Sequence, residues 1–163
     1  MTTTMTSSDA LVVRKATVAD VWEISALVNG YAADDVMLPR TPEQVLLAVE
    51  DYVVATDAHG RLLACGALKE YSPSLAELVS LAVAREAHGR GLGRVVVAAV
   101  EQLATKRGYD SVFAHTLSPC FFEAVGYAVV DRVRFPEKRA RPHTTCVTRP
   151  LTAERRPRLR VAA

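Results

Sequence analysis

The stretch that most limits what this chain can become runs from Glu77 to Arg94. Leu75 to Val83 reads as a strand, and His88-Gly89-Arg90-Gly91-Leu92-Gly93 as a glycine-rich turn. Val96, Val97, Val100 and Leu103 then mark the apolar side of a helix that ends before Gly108. Strand, turn and helix in that order build an anion site. The first turn of a helix leaves backbone N–H groups unpaired and carries the positive end of the helix dipole. Glycines remove the Cβ atoms that would hold a phosphate away, and Arg90 and Arg94 add charge. A pyrophosphate suits such a site. Two common phosphate loops are excluded by spacing. Gly93 is followed by Arg94 and Val95, where a Walker loop needs Lys and Ser or Thr. A GxGxxG fingerprint starting at Gly89 needs glycine at the position of Arg94. A plain tight turn would satisfy the glycines as well.

The flanking sequence sets this segment in a mixed α/β domain. Leu11 to Lys15 reads as a strand. Thr17-Val18-Ala19-Asp20 has the form of a capping box, and Val18, Val21, Ile24, Leu27 and Val28 fall on one helical face that Gly30 should close. Thr41-Pro42-Glu43-Gln44 is a clearer helix start, with Val45, Leu46 and Val49 as its buried face to about Asp51. Tyr52 to Thr56 and Arg61 to Lys69 form an antiparallel hairpin about the turn 57–60, and Tyr71-Ser72-Pro73-Ser74 breaks the pattern. Beyond the glycine segment come a strand at Ser111 to Thr116, a short helix at Pro119 to Val125 closed by Gly126, a strand at Tyr127 to Arg134 and a last strand at Thr144 to Thr148.

At 163 residues the chain fits one domain over 11–150, with a disordered start over 1–10 and a basic flexible tail over 151–163. Arg155, Arg156, Arg158 and Arg160 lie in that tail, and Arg132, Arg134, Lys138, Arg139 and Arg141 crowd the segment before it. The net charge of +2 points to neither nucleic acid nor an anionic membrane. No apolar run is long enough to span a bilayer, and the Thr/Ser-rich start lacks the form of a signal peptide. Cys65, Cys120 and Cys146 are odd in number and far apart, which fits neither a disulfide framework nor a zinc site. A reducing cytoplasm is the expected setting. Cys120 reads as a small buried hydrophobe rather than a nucleophile, and His59 as a turn residue.

Leu81-Ala82-Val83, a short spacer and His88-Gly89-Arg90-Gly91-Leu92-Gly93 resemble the acetyl-CoA motif of the GNAT N-acetyltransferases. That motif reads Gln/Arg-x-x-Gly-x-Gly/Ala. Gly91 and Gly93 match, and His88 stands where Gln or Arg is usual. The resemblance runs from about Leu11 to Val133. It implies a central, mostly antiparallel sheet with flanking helices, and a strand from Glu77 to Val83 that splays from its neighbour. Leu81, Ala82 and Val83 would pair with the pantetheine arm, and the amides of Gly89 to Arg94 would hold the pyrophosphate of acetyl-CoA. No metal is implied. Phe121-Phe122-Glu123-Ala124-Val125-Gly126-Tyr127 matches a second family segment, with Phe122 at the place of the usual Tyr acid. Another group then protonates the departing thiolate, or it leaves unaided. Glu77 would be the general base, and His115 and Ser118 would line the pocket.

A narrower resemblance, to short N-acetylglutamate synthases without a kinase domain, begins at Met37-Leu38-Pro39-Arg40-Thr41-Pro42-Glu43-Gln44. Cys65-Gly66-Ala67-Leu68-Lys69, Ala76 to Val83 and Phe135-Pro136-Glu137-Lys138 continue it. It implies an acceptor with two carboxylates and an α-amine, L-glutamate first, and a place in arginine biosynthesis. Such an acceptor needs cationic subsites. Arg40 and Lys69 are the positions selected, with Arg141 or Arg149 as a third and Ser118 as a substrate contact. Another amine (glutamine, a polyamine, a drug, a protein N-terminus) and a non-catalytic acyl-CoA sensor are the competing readings. A homodimer is compatible with either enzyme reading.

Overall fold

A computed structural model describes residues 10–131 and 143–151. The elements, in chain order, are β1 (Val12–Lys15), α1 (Val21–Ala32), α2 (Pro42–Leu47), β2 (Tyr52–Thr56), β3 (Leu62–Ser72), β4 (Leu75–Val83), α3 (Leu92–Lys106), β5 (Ser111–Thr116), α4 (Pro119–Ala124), β6 (Ala128–Val130) and β7 (Thr145–Pro150). Single 3-10 turns precede α1 and α3 and follow α2. This is the mixed α/β order expected. The described chain forms two compact units, and β3, β4 and α3 each run from one into the other.

The first unit holds the described residues up to Ala67 together with Ser80–Ala99. Its strands run in the order β1-β2-β3-β4. β1 pairs antiparallel with β2, and β2 with β3. β2 is buried along its whole length, so Val53, Val54 and Ala55 lie at the centre of this unit's core. α1 covers that core with Val21, Ile24 and Val28, the helical stripe read from the sequence. The capping box before α1 forms: Asp20 accepts the Thr17 N–H at 2.7 Å and also takes both arms of the Arg14 guanidinium, at 2.7 and 2.9 Å. The box at α2 is reciprocal, Gln44 N–H donating to the Thr41 hydroxyl and Thr41 N–H to the Gln44 carbonyl oxygen.

Three expectations fail here. α1 does not stop at Gly30 but runs to Ala32, because Gly30 carries ordinary helical torsions and ends nothing. Val18 and Leu46, assigned to buried faces, are 66% and 46% exposed. Val18 lies in the 3-10 turn, whose tighter pitch takes it off the α1 stripe, and α2 is too short to bury a second row.

The second unit holds Leu68–Val79 and the described residues from Val100 on. Its strand order is β3-β4-β5-β7-β6. β5 pairs antiparallel with β7, and β7 with β6. β4 and β5 are parallel over three residue pairs only, Leu75↔Ser111, Ala76↔Val112 and Glu77↔Phe113. The expected splay therefore begins just past Glu77. Tyr71 and Ser72 belong to β3 rather than to a break, and the reversal is confined to Pro73 and Ser74. β6 is shorter than the strand read from the sequence, its described part ending at Val130. Arg132, Arg134, Phe135-Pro136-Glu137-Lys138, Arg139, Arg141, the first nine residues and the tail from Thr152 lie outside the described residues.

Candidate active site

In the first unit the glycine segment takes the form the sequence suggested. β4 ends at Val83, a 3-10 turn spans Arg85–Ala87, and α3 starts at Leu92. Gly89 and Gly91 both sit at φ +76, in the left-handed region. A Cβ at either would meet nothing within 4 Å. Glycine is therefore demanded by the backbone turn rather than by crowding. Val95 N–H donates to the Gly91 carbonyl, which makes that bond the first of the helix and leaves the N–H groups of Leu92, Gly93 and Arg94 in its first turn. His88, Gly89, Arg90, Gly91 and Arg94 are exposed, while Leu92 is buried and anchors the helix start.

β4 itself carries a local irregularity. Ser80 adopts φ +54, a costly conformation for a residue with a side chain. It is held from two sides. Tyr52 donates from its hydroxyl to Ser80 Oγ at 3.3 Å, and Cys65 Sγ donates to the Ser80 carbonyl at 3.4 Å. Burial pushes the Cys65 thiol up to about 12, so it stays protonated and inert. Past Ser80 the strand resumes, and Ala84 N–H donates to the Leu63 carbonyl of β3 at 2.7 Å. Strand alternation then turns the backbone groups of Leu81 and Val83 away from β3, while Ala82 faces it.

Arg40 is fixed by its backbone. Its N–H donates to Asn29 Oδ1 at 2.8 Å, and its carbonyl accepts from Asn29 Nδ2 at 2.9 Å and Ser25 Oγ at 2.8 Å. Arg40 as a whole is half-buried; its guanidinium donates to the Pro39 carbonyl at 3.1 Å and acts on Tyr52. Burial raises the Tyr52 hydroxyl, against the lowering effect of Ser80 and Arg40. Arg40, Tyr52 and Ser80 thus stand together.

In the second unit Glu77 is 4% exposed, at the last position of β4 that pairs with β5. His115 Nδ1, two residues past the partner Phe113 on β5, lies 3.8 Å from Glu77 Oε1. Lys69 and Ser118 are exposed, Lys69 on β3 and Ser118 at the head of α4. Phe122 is buried between Phe121 and Tyr127, with ring centroids at 5.2 and 5.1 Å. The phenyl ring at the place of a phenolic acid is thus part of an edge-to-face aromatic cluster. Arg149, one candidate for a third cationic subsite, is committed elsewhere: its guanidinium bonds Glu101 at 3.3 Å and the Val125 carbonyl at 2.5 Å. Arg141 lies outside the described residues. Cys120 is exposed rather than buried. Among the described residues no group of three His, Cys, Asp or Glu side chains could hold a metal ion.

The model of the acetyltransferase (GNAT) family matches residues 19–138. The chain belongs to that family. It is an acetyl-CoA-dependent N-acetyltransferase. An uncharacterized N-acetyltransferase of Chlorobaculum tepidum is 37% identical over 137 residues, covering 84% of this chain and 88% of that protein. An amino-acid acetyltransferase of Mycobacterium tuberculosis is 31% identical over 122 residues, 74% of this chain and 70% of the relative. Among solved structures, the N-acetylglutamate synthase of Neisseria gonorrhoeae, in complex with coenzyme A and N-acetyl-glutamate, superposes with a TM-score of 0.80. The match has 22% identity and covers 88% of this chain but only 35% of that one, and shows a shared fold. Among the described residues of this acetyltransferase no helix is long and apolar enough to cross a membrane.

Two tyrosines beside the site segments escaped the sequence reading: Tyr52, next to Arg40 and Ser80, and Tyr31, whose hydroxyl donates to the Val83 carbonyl. Tyr31 had a signal: it continues the stripe Ile24, Val28 at helical spacing, past the glycine taken as a stop. Tyr52 had none beyond its place at the head of a strand.

Proposed function

We propose that this enzyme acetylates the α-amine of a small amino acid, with L-glutamate the first candidate and glutamine and aspartate next, as a step toward arginine. The observation that carries the reading is the setting of Arg40, whose backbone is held by three hydrogen bonds from α1 and whose guanidinium stands beside Tyr52. A guanidinium whose base is fixed is suited to grip a carboxylate with little further loss of freedom. The relatives named amino-acid acetyltransferases support the same acceptor class.

In this reading the amides of Gly89 to Arg94 hold the pyrophosphate of acetyl-CoA, and the open backbone groups of Leu81 and the N–H of Val83, with Ala82 between them, pair with its arm. Glu77 takes a proton from the acceptor's ammonium group. The free amine then attacks the thioester carbonyl, whose developing oxyanion is met by backbone N–H groups of β4. The C–S bond breaks, the nitrogen gives up its second proton to solvent water as the amide forms, and the thiolate departs, with no phenol at position 122 to protonate it. Arg40 and Lys69 bind acceptor carboxylates, and Ser118 contacts the acceptor. The domain limits 11–150 and a cytoplasmic location belong to the same proposal.

Replacing Arg40 by Ala tests it. The KM for glutamate rises by about tenfold or more, and the KM for acetyl-CoA stays within about twofold. Equal increases in both would remove Arg40 from acceptor binding.

A further inference from the structure

The carbonyl of Val83 is the last of β4, and alternation turns it away from β3. It meets side chains instead. Tyr31, from the last turn of α1, donates its hydroxyl hydrogen to Val83 O at 2.5 Å. His88 Nε2 lies 3.0 Å from the same oxygen and 2.7 Å from the Tyr31 hydroxyl. With the Tyr31 hydrogen directed at Val83 O, the contact to His88 requires an Nε2–H, which the ring then shares between the two oxygens. The Tyr31 and His88 rings are stacked 8° from parallel. Arg85 lies over the other partner, its guanidinium carbon 4.8 Å from the Tyr31 ring centroid, and pairs with Asp34 at the end of α1. Glu86, on the same turn, pairs with Arg61.

We propose that Tyr31 is a positioning residue for acetyl-CoA, acting through the Val83 carbonyl and His88 to fix the point where β4 gives way to the glycine turn. The argument is geometric. An extended thioester arm that pairs with the open side of β4 must leave the strand before its pyrophosphate can reach the start of α3. The clamp occupies the Val83 carbonyl, so strand-like pairing ends there. It also ties the first residue of the turn, His88, back to the strand end, which holds Gly89 and Gly91 in their left-handed conformation without the cofactor. His88 is a shorter side chain than the Gln or Arg expected in this motif, and Tyr31 supplies the missing reach. Preorganisation of this kind lowers the entropy lost when the cofactor binds. The proposal rests on the reading that residues 88–94 hold the pyrophosphate.

The charged groups around the clamp are Asp34, just past α1, and Arg85 and Glu86 on the 3-10 turn. Arg85 and Glu86 have their ion-pair partners in Asp34 and Arg61.

The test uses the full chain and acetyl-CoA, with binding followed by calorimetry and turnover by thiol release. Tyr31→Phe keeps the ring, its stacking and its contact with Arg85, and removes one hydrogen bond. It should weaken acetyl-CoA binding about three- to tenfold, and leave kcat at saturation and the KM for the acceptor within about twofold. His88→Gln, which keeps a donor at this place, should bind acetyl-CoA near the parent level. His88→Ala should bind it more weakly. Tyr31→Phe binding acetyl-CoA like the parent would overturn the proposal, as would a fall in kcat with binding unchanged. Gly91→Val separates the two layers of the argument. If it abolishes acetyl-CoA binding while Tyr31→Phe does nothing, the clamp is wrong and the loop assignment stands. If neither variant affects binding, the loop assignment itself fails.

Discussion

Cys65, Cys120 and Cys146 look alike in sequence but differ in reactivity for a simple reason. Burial raises the Cys65 thiol to about 12, Cys146 is 1% exposed, and Cys120 stands in the open on α4. A thiol reagent should label Cys120 alone in the native protein and all three in denaturant, as mass spectrometry of the adducts would show. Fast native labelling of Cys65 would contradict the packing around Ser80. Glu77 is the residue on which the proposed chemistry depends. Glu77→Gln should lower kcat/KM by about a hundredfold or more at neutral pH, and by less as the acceptor amine deprotonates by itself at high pH. A pH–rate profile parallel to the parent's would take the base role from Glu77. At this scale the glycines announced themselves by residue type and spacing, whereas Arg40 and Glu77 came only through the family resemblance. The sequence did not display Tyr31 and Tyr52, whose roles arise only where separate elements meet.

Among the elements, the start of α1 is braced by a single carboxylate. Asp20 closes the capping box with Thr17 and accepts two bonds from Arg14. The Arg14 hydrogen bond, opposed by burial and helped by the Thr17 N–H, holds the Asp20 carboxyl below its ordinary 3.8. A depressed carboxyl stabilises the fold above the unfolded value and ceases to do so as pH falls through the folded one. Asp20→Asn should therefore cost about 1 kcal/mol at neutral pH, a figure kept small because Arg14 is partly exposed. The gap in Tm between parent and variant should shrink from about pH 5 to about pH 2. Both capping boxes were legible, since Thr at the cap and Asp or Gln three residues later is a local signal. The length of α1 was not, because Gly30 inside a helix and Gly30 ending one look the same in sequence. The reach of β3 through Tyr71 and Ser72 was hidden for a related reason: a proline fixes where the chain turns but not how near the strands come to it.

Across the molecule, element order and the β2–β3 hairpin followed from periodicity and turn chemistry. The splay of β4 came only through the family resemblance, and the short parallel ladder of β4 with β5, ending at Glu77, was read from neither. Nothing in hydrophobic spacing distinguishes a strand that stays paired from one that parts company after three residues. Arg40 and Lys69 are the cationic subsites proposed among the described residues, and the basic residues from Arg132 to Arg141 lie outside them. The central claim is that the enzyme passes an acetyl group to the α-amine of an acidic amino acid. The most direct test mixes the purified protein with acetyl-CoA and, one at a time, the common amino acids, spermidine and a short peptide, and follows CoA release. The account predicts release with glutamate, with weaker release for glutamine or aspartate and N-acetylated product in each case. Release with spermidine or the peptide alone would contradict it.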